Sequence, residues 1–179
     1  MNNPWQILDC SLKYDNPWIR VEEFSVINPA GNPGIYGTVH FKNRAVAIVP
    51  LFENGDTLLV GQFRFPLKEY HWELPMGGAP DDEDPLACAK RELQEETGYT
   101  ARQWQTLSRL HLSNSITQEE GYAFVARDLV AGEAAPEETE QLAVKRIAFE
   151  DALAQAMNGE ITDAMTVCAL FKVRLMGLA

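Results

Sequence analysis

The chain has 179 residues, 46% of them hydrophobic and 23% charged, with a formal net charge of −11. That length suits one domain with a proper core and a small appendage, and the acidic balance argues against nucleic acid or an anionic membrane as partner, since both need a cationic face. Anionic small molecules stay in play, because a bound divalent cation reverses the local sign.

The opening "MNNPWQILDC" lacks a basic segment followed by an apolar one, so no signal peptide is read there, and no apolar run is long enough to span a bilayer. Cys10, Cys88 and Cys168 are far apart and odd in number. They fit buried free thiols in a reducing compartment better than a disulfide frame or a zinc site. The expectation is a soluble cytoplasmic protein.

In chain order, "WIRVEEFSVINPAGNPGIYGTVHF" (18–41) reads as a hairpin, two extended runs around a Pro/Gly/Asn turn. "RAVAIVPLFENGDTLLVGQFRF" (44–65) reads as a second hairpin, its apolar strands joined at Asn54-Gly55 by a type I′ turn. "ELPMGGAPDDED" (73–84) reads as a loop whose last residue, Asp84, caps a helix beginning at Pro85. Leu86, Ala89 and Leu93 recur at helical spacing and Gly98 ends the helix, so a loop–helix–loop spans 77–99. Strands follow within 104–112, 122–129 and 142–149, the last two separated by the acidic loop "AGEAAPEETEQ". The tail reads as a helix over 150–157, ended by Asn158-Gly159, and a longer apolar one over 162–175 that packs on the sheet. Strands interleaved with few helices give an α/β (α+β) class, a mixed sheet layered by helices.

On the helix within 77–99, Glu92 and Glu96 are four apart and Glu95 is three from Glu92. At 3.6 residues per turn their side chains leave an arc of roughly 100°. Like charges so placed repel. Crowded carboxylate oxygens are what hard cations such as Mg²⁺ or Mn²⁺ select, and such an ion would turn the repulsion into shared attraction. Arg91 stands where it can pair with a glutamate. Three glutamates within five residues, taken alone, are more often a solvated face; the spacing around them decides otherwise.

That spacing is Gly77, five residues, Glu83, seven residues, Arg91-Glu92-Leu93, one residue, Glu95-Glu96, one residue, Gly98-Tyr99. It resembles the Nudix box, the signature of the Nudix hydrolases, at every fixed position but the last, where Tyr99 replaces an aliphatic residue. The resemblance implies a Nudix-type α/β/α sandwich over 43–179 with the box at 77–99, preceded by a small β-rich segment over 1–42 that serves as a dimerisation arm. It further implies hydrolysis of a nucleoside diphosphate linked to another group, with Mg²⁺ (or Mn²⁺) as cofactor. Carried over residue by residue, Glu92, Glu96 and the carbonyl of Met76 become metal ligands, and Glu95 a ligand or base. Arg91 orients the glutamates, Glu83 closes the loop against the helix, and Gly77 and Gly98 permit the turns.

Three features resemble the ADP-ribose and nucleotide-sugar pyrophosphatases: the β-rich segment before the core, Arg64 in "VGQFRFPLKEYHWELPMGG" at the place of a phosphate-binding arginine, and "HLSNSITQEEGYAFVARDL". The last departs from the group, with Ser113-Asn114-Ser115 where Ser-Pro-Gly is usual. In that group a loop beyond the box supplies another ligand and a base; Glu137, Glu138 and Glu140 fall there. Glu140 is assigned as ligand and Glu138 as base, against the reading that this loop is merely solvated. Glu119 and Glu120 are rivals for those duties. The expected reaction gives a nucleoside monophosphate and a sugar phosphate, on a homodimer. The alternatives are a nucleoside-triphosphate or dinucleoside-polyphosphate hydrolase, and a nucleotide-binding Nudix regulator without catalysis.

His40, His71 and His111 show no metal-ligand spacing and read as structural or exposed; His71 alone lies near the site loop. Ser113 and Ser115 lack a His–Asp partner pattern, which argues against a nucleophilic serine.

Overall fold

The computed structural model describes residues 2–135 and 141–179. It divides into two compact units, one made of Met1–Asn43 and His111–Glu119, the other of Arg44–Leu110 and Glu120–Ala179.

The first unit is an antiparallel meander of β1 (Gln6–Asp15), β2 (Ile19–Ile27) and β3 (Pro33–Phe41). The 18–41 hairpin is the β2–β3 pair, with Phe24 facing Tyr36 and Val26 facing Gly34. Its turn is organised by Asn28, whose Oδ1 accepts from the Ala30 and Asn32 amides at 3.0 Å, while Gly31 takes φ of 85°. Such Asx turns are what Asn supplies by mimicking a backbone carbonyl. β1 was not among the expected strands; the alternation Leu8, Cys10, Leu12, Tyr14 is the signal that marks it. Residues 111–119 run along β3: the Val39 amide donates to the Ile116 carbonyl at 2.9 Å, Gln118 Nε2 to the Phe41 carbonyl at 3.1 Å, and the Tyr36 hydroxyl to the Ser115 carbonyl.

Among the described residues the second unit holds two sheets and three helices. One sheet is ordered β7 (Met76–Pro80), β4 (Asn43–Pro50), β9 (Glu120–Ala131), β8 (Tyr99–His111); the other β10 (Ala143–Ala148), β5 (Asp56–Arg64), β6 (Glu69–Glu73). β4 and β9 run parallel while β5 pairs antiparallel with β6 and β10, so the unit mixes both kinds of pairing. Both strands are buried on both faces. Val46, Ile48, Phe124 and Ala126 meet Cys88, Ala89 and Leu93 of α1 (Pro85–Thr97). Val49, Leu51, Ala123 and Val125 meet Phe149, Ala152 and Ala156 of α2 (Phe149–Met157) and Ala169, Leu170 and Val173 of α3 (Ala164–Leu175). The period of two along a strand thus sorts one residue set to each helical layer, giving the α/β/α arrangement.

The expected 44–65 hairpin is corrected. Its turn forms, but β4 and β5 belong to different sheets. The Gly55 amide donates to the Phe52 carbonyl at 3.0 Å and the Phe52 amide to the Asp56 carbonyl at 3.0 Å. Gly55 alone in this turn has positive φ, 85°. This is a type I turn closed by a left-handed glycine, not the type I′ expected. Beyond it the strands part, because β4 finds β9 while β5 finds β6 and β10. The 73–84 stretch is also more ordered than a loop: Met76–Pro80 forms β7 at the edge of the four-stranded sheet.

Candidate active site

The helix carrying the glutamates starts and stops where its sequence dictates. Asp84 Oδ1 accepts from the Leu86 amide at 3.0 Å and the Ala87 amide at 3.1 Å, and Pro85 follows at the first helical position. Those bonds satisfy amides that no earlier turn can serve. At the other end Gly98 takes φ of 75° and its amide donates to the Gln94 carbonyl at 2.8 Å. A Cβ at Gly98 would stand 2.9 Å from the Ala134 amide nitrogen and the Gly132 carbonyl oxygen, so glycine serves the close approach as well as the turn. The Ala135 amide donates to the Glu95 carbonyl at 2.9 Å, which fixes the chain leaving β9 against the end of α1.

Arg91 is the hub. Nη1 donates to Glu92 Oε1 at 2.7 Å and to Glu95 Oε2 at 2.8 Å; Nε and Nη2 donate to the two oxygens of Glu83 at 3.2 and 3.0 Å. One guanidinium therefore ties the box loop to the helix and relieves the repulsion between neighbouring glutamates. Glu83 foremost, then Glu95 and Glu92, raise the Arg91 pKa further above its ordinary value, against the opposing pull of burial. In turn Arg91 holds the Glu83 carboxyl below its ordinary 4.5, partly opposed by desolvation. Burial foremost, reinforced by Glu92, pushes the Cys88 thiol up to about 12, so it is an inert packing group.

Glu92 and Glu96 are 9% and 2% exposed. Charged side chains are seldom so buried without a compensating partner. Glu96 Oε2 accepts from the Met76 amide at 2.9 Å, which brings the start of β7 to the helix. Gly77 completes the cradle, since any Cβ there would overlap the Glu92 carboxylate. Two buried carboxylates suit a hard ion that takes its other ligands from water and substrate phosphates, the habit of Mg²⁺. Among the described residues no three His, Cys, Asp or Glu side chains form a complete ion cage. Glu138 and Glu140, with Glu137, lie outside the described residues.

Arg64, at the end of β5, is paired with the buried Glu73 of β6: Nε donates to its two oxygens at 3.1 and 3.0 Å, and Nη2 joins them. Burial would lower the Arg64 pKa, but Glu73 outweighs it, with Asp163 and Glu96 adding to the rise. Glu73 was not a sequence candidate. It is nine residues from Arg64, and only the β5–β6 turn makes them neighbours. Arg44 was also unforeseen; its Nη2 holds the box loop through the carbonyls of Pro80 at 2.8 Å and Glu83 at 2.6 Å. Glu120 pairs with Arg109 and accepts from the Tyr122 hydroxyl at 2.7 Å. Burial raises the Glu119 carboxyl above its ordinary value.

The profile of the NUDIX domain matches residues 41–166. The chain is 35% identical over 133 residues to the ADP-ribose pyrophosphatase of Bacillus subtilis (strain 168), covering 73% of this chain and 72% of that protein. It is 31% identical over 136 residues to the GDP-mannose pyrophosphatase of Yersinia pestis (strain Pestoides F), covering 72% and 69%. In fold it is similar to a crystal structure described as an ADP compounds hydrolase, with a TM-score of 0.86, 24% identity, and 96% and 93% of the two chains covered.

Proposed function

The chain belongs to the NUDIX family, and from that premise we propose that it hydrolyses the pyrophosphate bond of a nucleoside diphosphate sugar, ADP-ribose before others, with Mg²⁺ as cofactor. Nudix hydrolases in general use divalent metals. The observation that carries the reading is the pair of buried carboxylates, Glu92 and Glu96, brought together on one helix beside Gly77, with Arg91 bonded to Glu92. The names of the Bacillus and Yersinia relatives support a nucleotide-sugar substrate.

Glu92, Glu96 and the Met76 carbonyl would hold the metal, with Glu140 as a further ligand. A bound divalent ion neutralises phosphate charge and lowers the pKa of an attacking water. Arg64, kept cationic and aimed by Glu73, binds a phosphate oxygen. Arg91 keeps Glu92 and Glu95 in register with the box loop that Glu83 closes. Glu95 serves as ligand or base, and Glu138 takes the proton of the attacking water as the pyrophosphate splits. Water and ADP-ribose thus yield AMP and ribose 5-phosphate.

The protein works as a cytoplasmic homodimer joined through the first unit. Supporting the dimer, Ile7, Leu8, Leu12 and Tyr14 of the edge strand β1 are each more than half exposed. Supporting the compartment, Cys10, Cys88 and Cys168 are all free thiols, although only Cys88 is buried as expected and Cys10 and Cys168 are exposed. Among the described residues no helix is long and apolar enough to cross a membrane.

A nucleotide panel with Mg²⁺, followed by product identification, tests the reading. A nucleoside monophosphate plus a sugar phosphate is the expected result. Inorganic pyrophosphate as co-product, or no turnover of any nucleotide sugar, overturns it.

A further inference from the structure

We infer that the cleft between the β5–β6 hairpin and the start of α3 receives the sugar-phosphate half of the substrate, with the His71 imidazole bonding a hydroxyl of that sugar. This rests on the function proposed above and deepens it.

The cleft is about 330 Å³ and its walls include Arg64, Leu67, His71, Glu73, Thr162 and Asp163. That volume lies in the roughly 300–1,000 Å³ range of small-molecule sites. Its floor is set by strand register. His71 stands opposite Gln62, Glu73 opposite Val60, and Arg64 opposite Glu69, so the pleat turns Arg64, His71 and Glu73 to one face.

His71 is the unsatisfied group there. Its side chain is 13% exposed, yet Nε2 is buried without a hydrogen-bond partner among the described residues. The exposed Glu69 carboxylate lies 3.5 Å from Nε2, an ion-pair contact when the ring is protonated and not a hydrogen bond. A buried polar atom without a hydrogen bond is costly, and an exposed carboxylate at the limit of contact leaves room for a better partner. Nε2 can donate to or accept from a hydroxyl according to tautomer, which suits a sugar.

The rest of the wall fits the same ligand. Arg64 commits Nε and Nη2 to Glu73, and Nη1 has no hydrogen bond to a described residue. It can take a phosphate oxygen without losing its anchor. Asp163 caps α3 with Oδ1, accepting from the Thr166 amide at 2.7 Å, and is fixed in place with a second oxygen to offer. Together with the Thr162 hydroxyl this makes a cation for a phosphate and acceptors for hydroxyls. Among the described residues no Phe, Tyr or Trp ring lines the cleft, so a nucleobase would find no stacking platform. Three residues beyond Glu73 the Met76 amide donates to Glu96 Oε2 at 2.9 Å, which puts the cleft near the glutamate helix.

Two experiments decide this. The chain has three histidines, so the ring resonances of His71 are assignable by substitution. Ribose 5-phosphate titrated into the wild-type protein should shift them saturably, and AMP should not. No shift with ribose 5-phosphate, or an equal shift with AMP, overturns the inference.

Kinetically, His71→Asn should change the ADP-ribose to ADP-glucose ratio of kcat/KM by about tenfold, and leave the ADP-mannose to GDP-mannose ratio within about twofold. Equal loss on all four substrates, or no change on any, also overturns it. If the wild type turns over none of them, the proposed function fails on its own, while the ring titration still reports on the cleft.

Discussion

In the first unit Val26 is the only residue among those described that is buried, at 3% exposure; β1 exposes side chains on both faces. In the second unit β4 and β9 are covered on both faces and the glutamate helix is seated on them. The first is held by strand pairing and Asn-organised turns, which alone are marginal in water. The second buries enough apolar surface to keep Glu92 and Glu96 dehydrated. The contrast matches the two jobs proposed above. The proposed ion site needs a packed core beneath it, whereas the exposed apolar residues of β1 are what the proposed pairing with another copy would cover.

The largest effect should come from the buried pair. Glu96→Gln is expected to lower kcat at least about a hundredfold in steady-state assays, with much smaller loss of nucleotide affinity. It should also abolish any saturable rise in melting temperature on adding Mg²⁺, a rise worth about 2.7 kcal/mol at a hundred times Kd. Near-normal turnover would remove Glu96 from the site.

Next comes Gly77→Ala. The new Cβ must displace the Glu92 carboxylate, so a destabilisation of about 1–3 kcal/mol by urea titration and a fall in activity are expected. Asp84→Ala should cost about 1 kcal/mol by the same measurement, because two amides at the start of α1 lose their acceptor.

For the first unit, Ile7→Glu with Leu12→Glu should convert a dimer to a monomer in sedimentation velocity while the second unit keeps its cooperative unfolding. A wild type that sediments as a monomer would overturn the interface.

The smallest effect is in acid. The Glu83 carboxyl is held below its ordinary 4.5 by Arg91. A depressed folded pKa contributes stability that is present above the unfolded value and lost as pH falls through the folded one. The melting temperature of Arg91→Met should therefore lie furthest below wild type at neutral pH, and the gap should narrow as pH drops below the ordinary glutamate range. A gap independent of pH would show that Arg91 acts by packing alone.

Much of the glutamate helix was legible because its determinants are local. Asp84, Pro85 and Gly98 act on amides and carbonyls within one turn, so the sequence carries the start and stop. The proposed remedy for the carboxylate repulsion was a divalent ion. Arg91 was also expected to pair with a glutamate; the structure adds that it bonds Glu92, Glu95 and Glu83 at once. Arg64 was legible as a candidate, but not its bond to Glu73.

Sequence alone determined the helix with its caps, the spacing of Gly77, Glu83 and the three glutamates, and the place, though not the type, of the turn at Asn54-Gly55, all set by interactions across a few residues. Tertiary structure decided that β4 and β5 separate into two sheets, that a Gly-Gly stretch becomes β7, and that Arg64, His71 and Asp163 share one cleft. The physical reason is range. A cap or a turn is paid for where it forms, whereas strand partners and cleft walls are chosen among distant residues by which pairing buries the most apolar surface and leaves the fewest backbone groups unbonded.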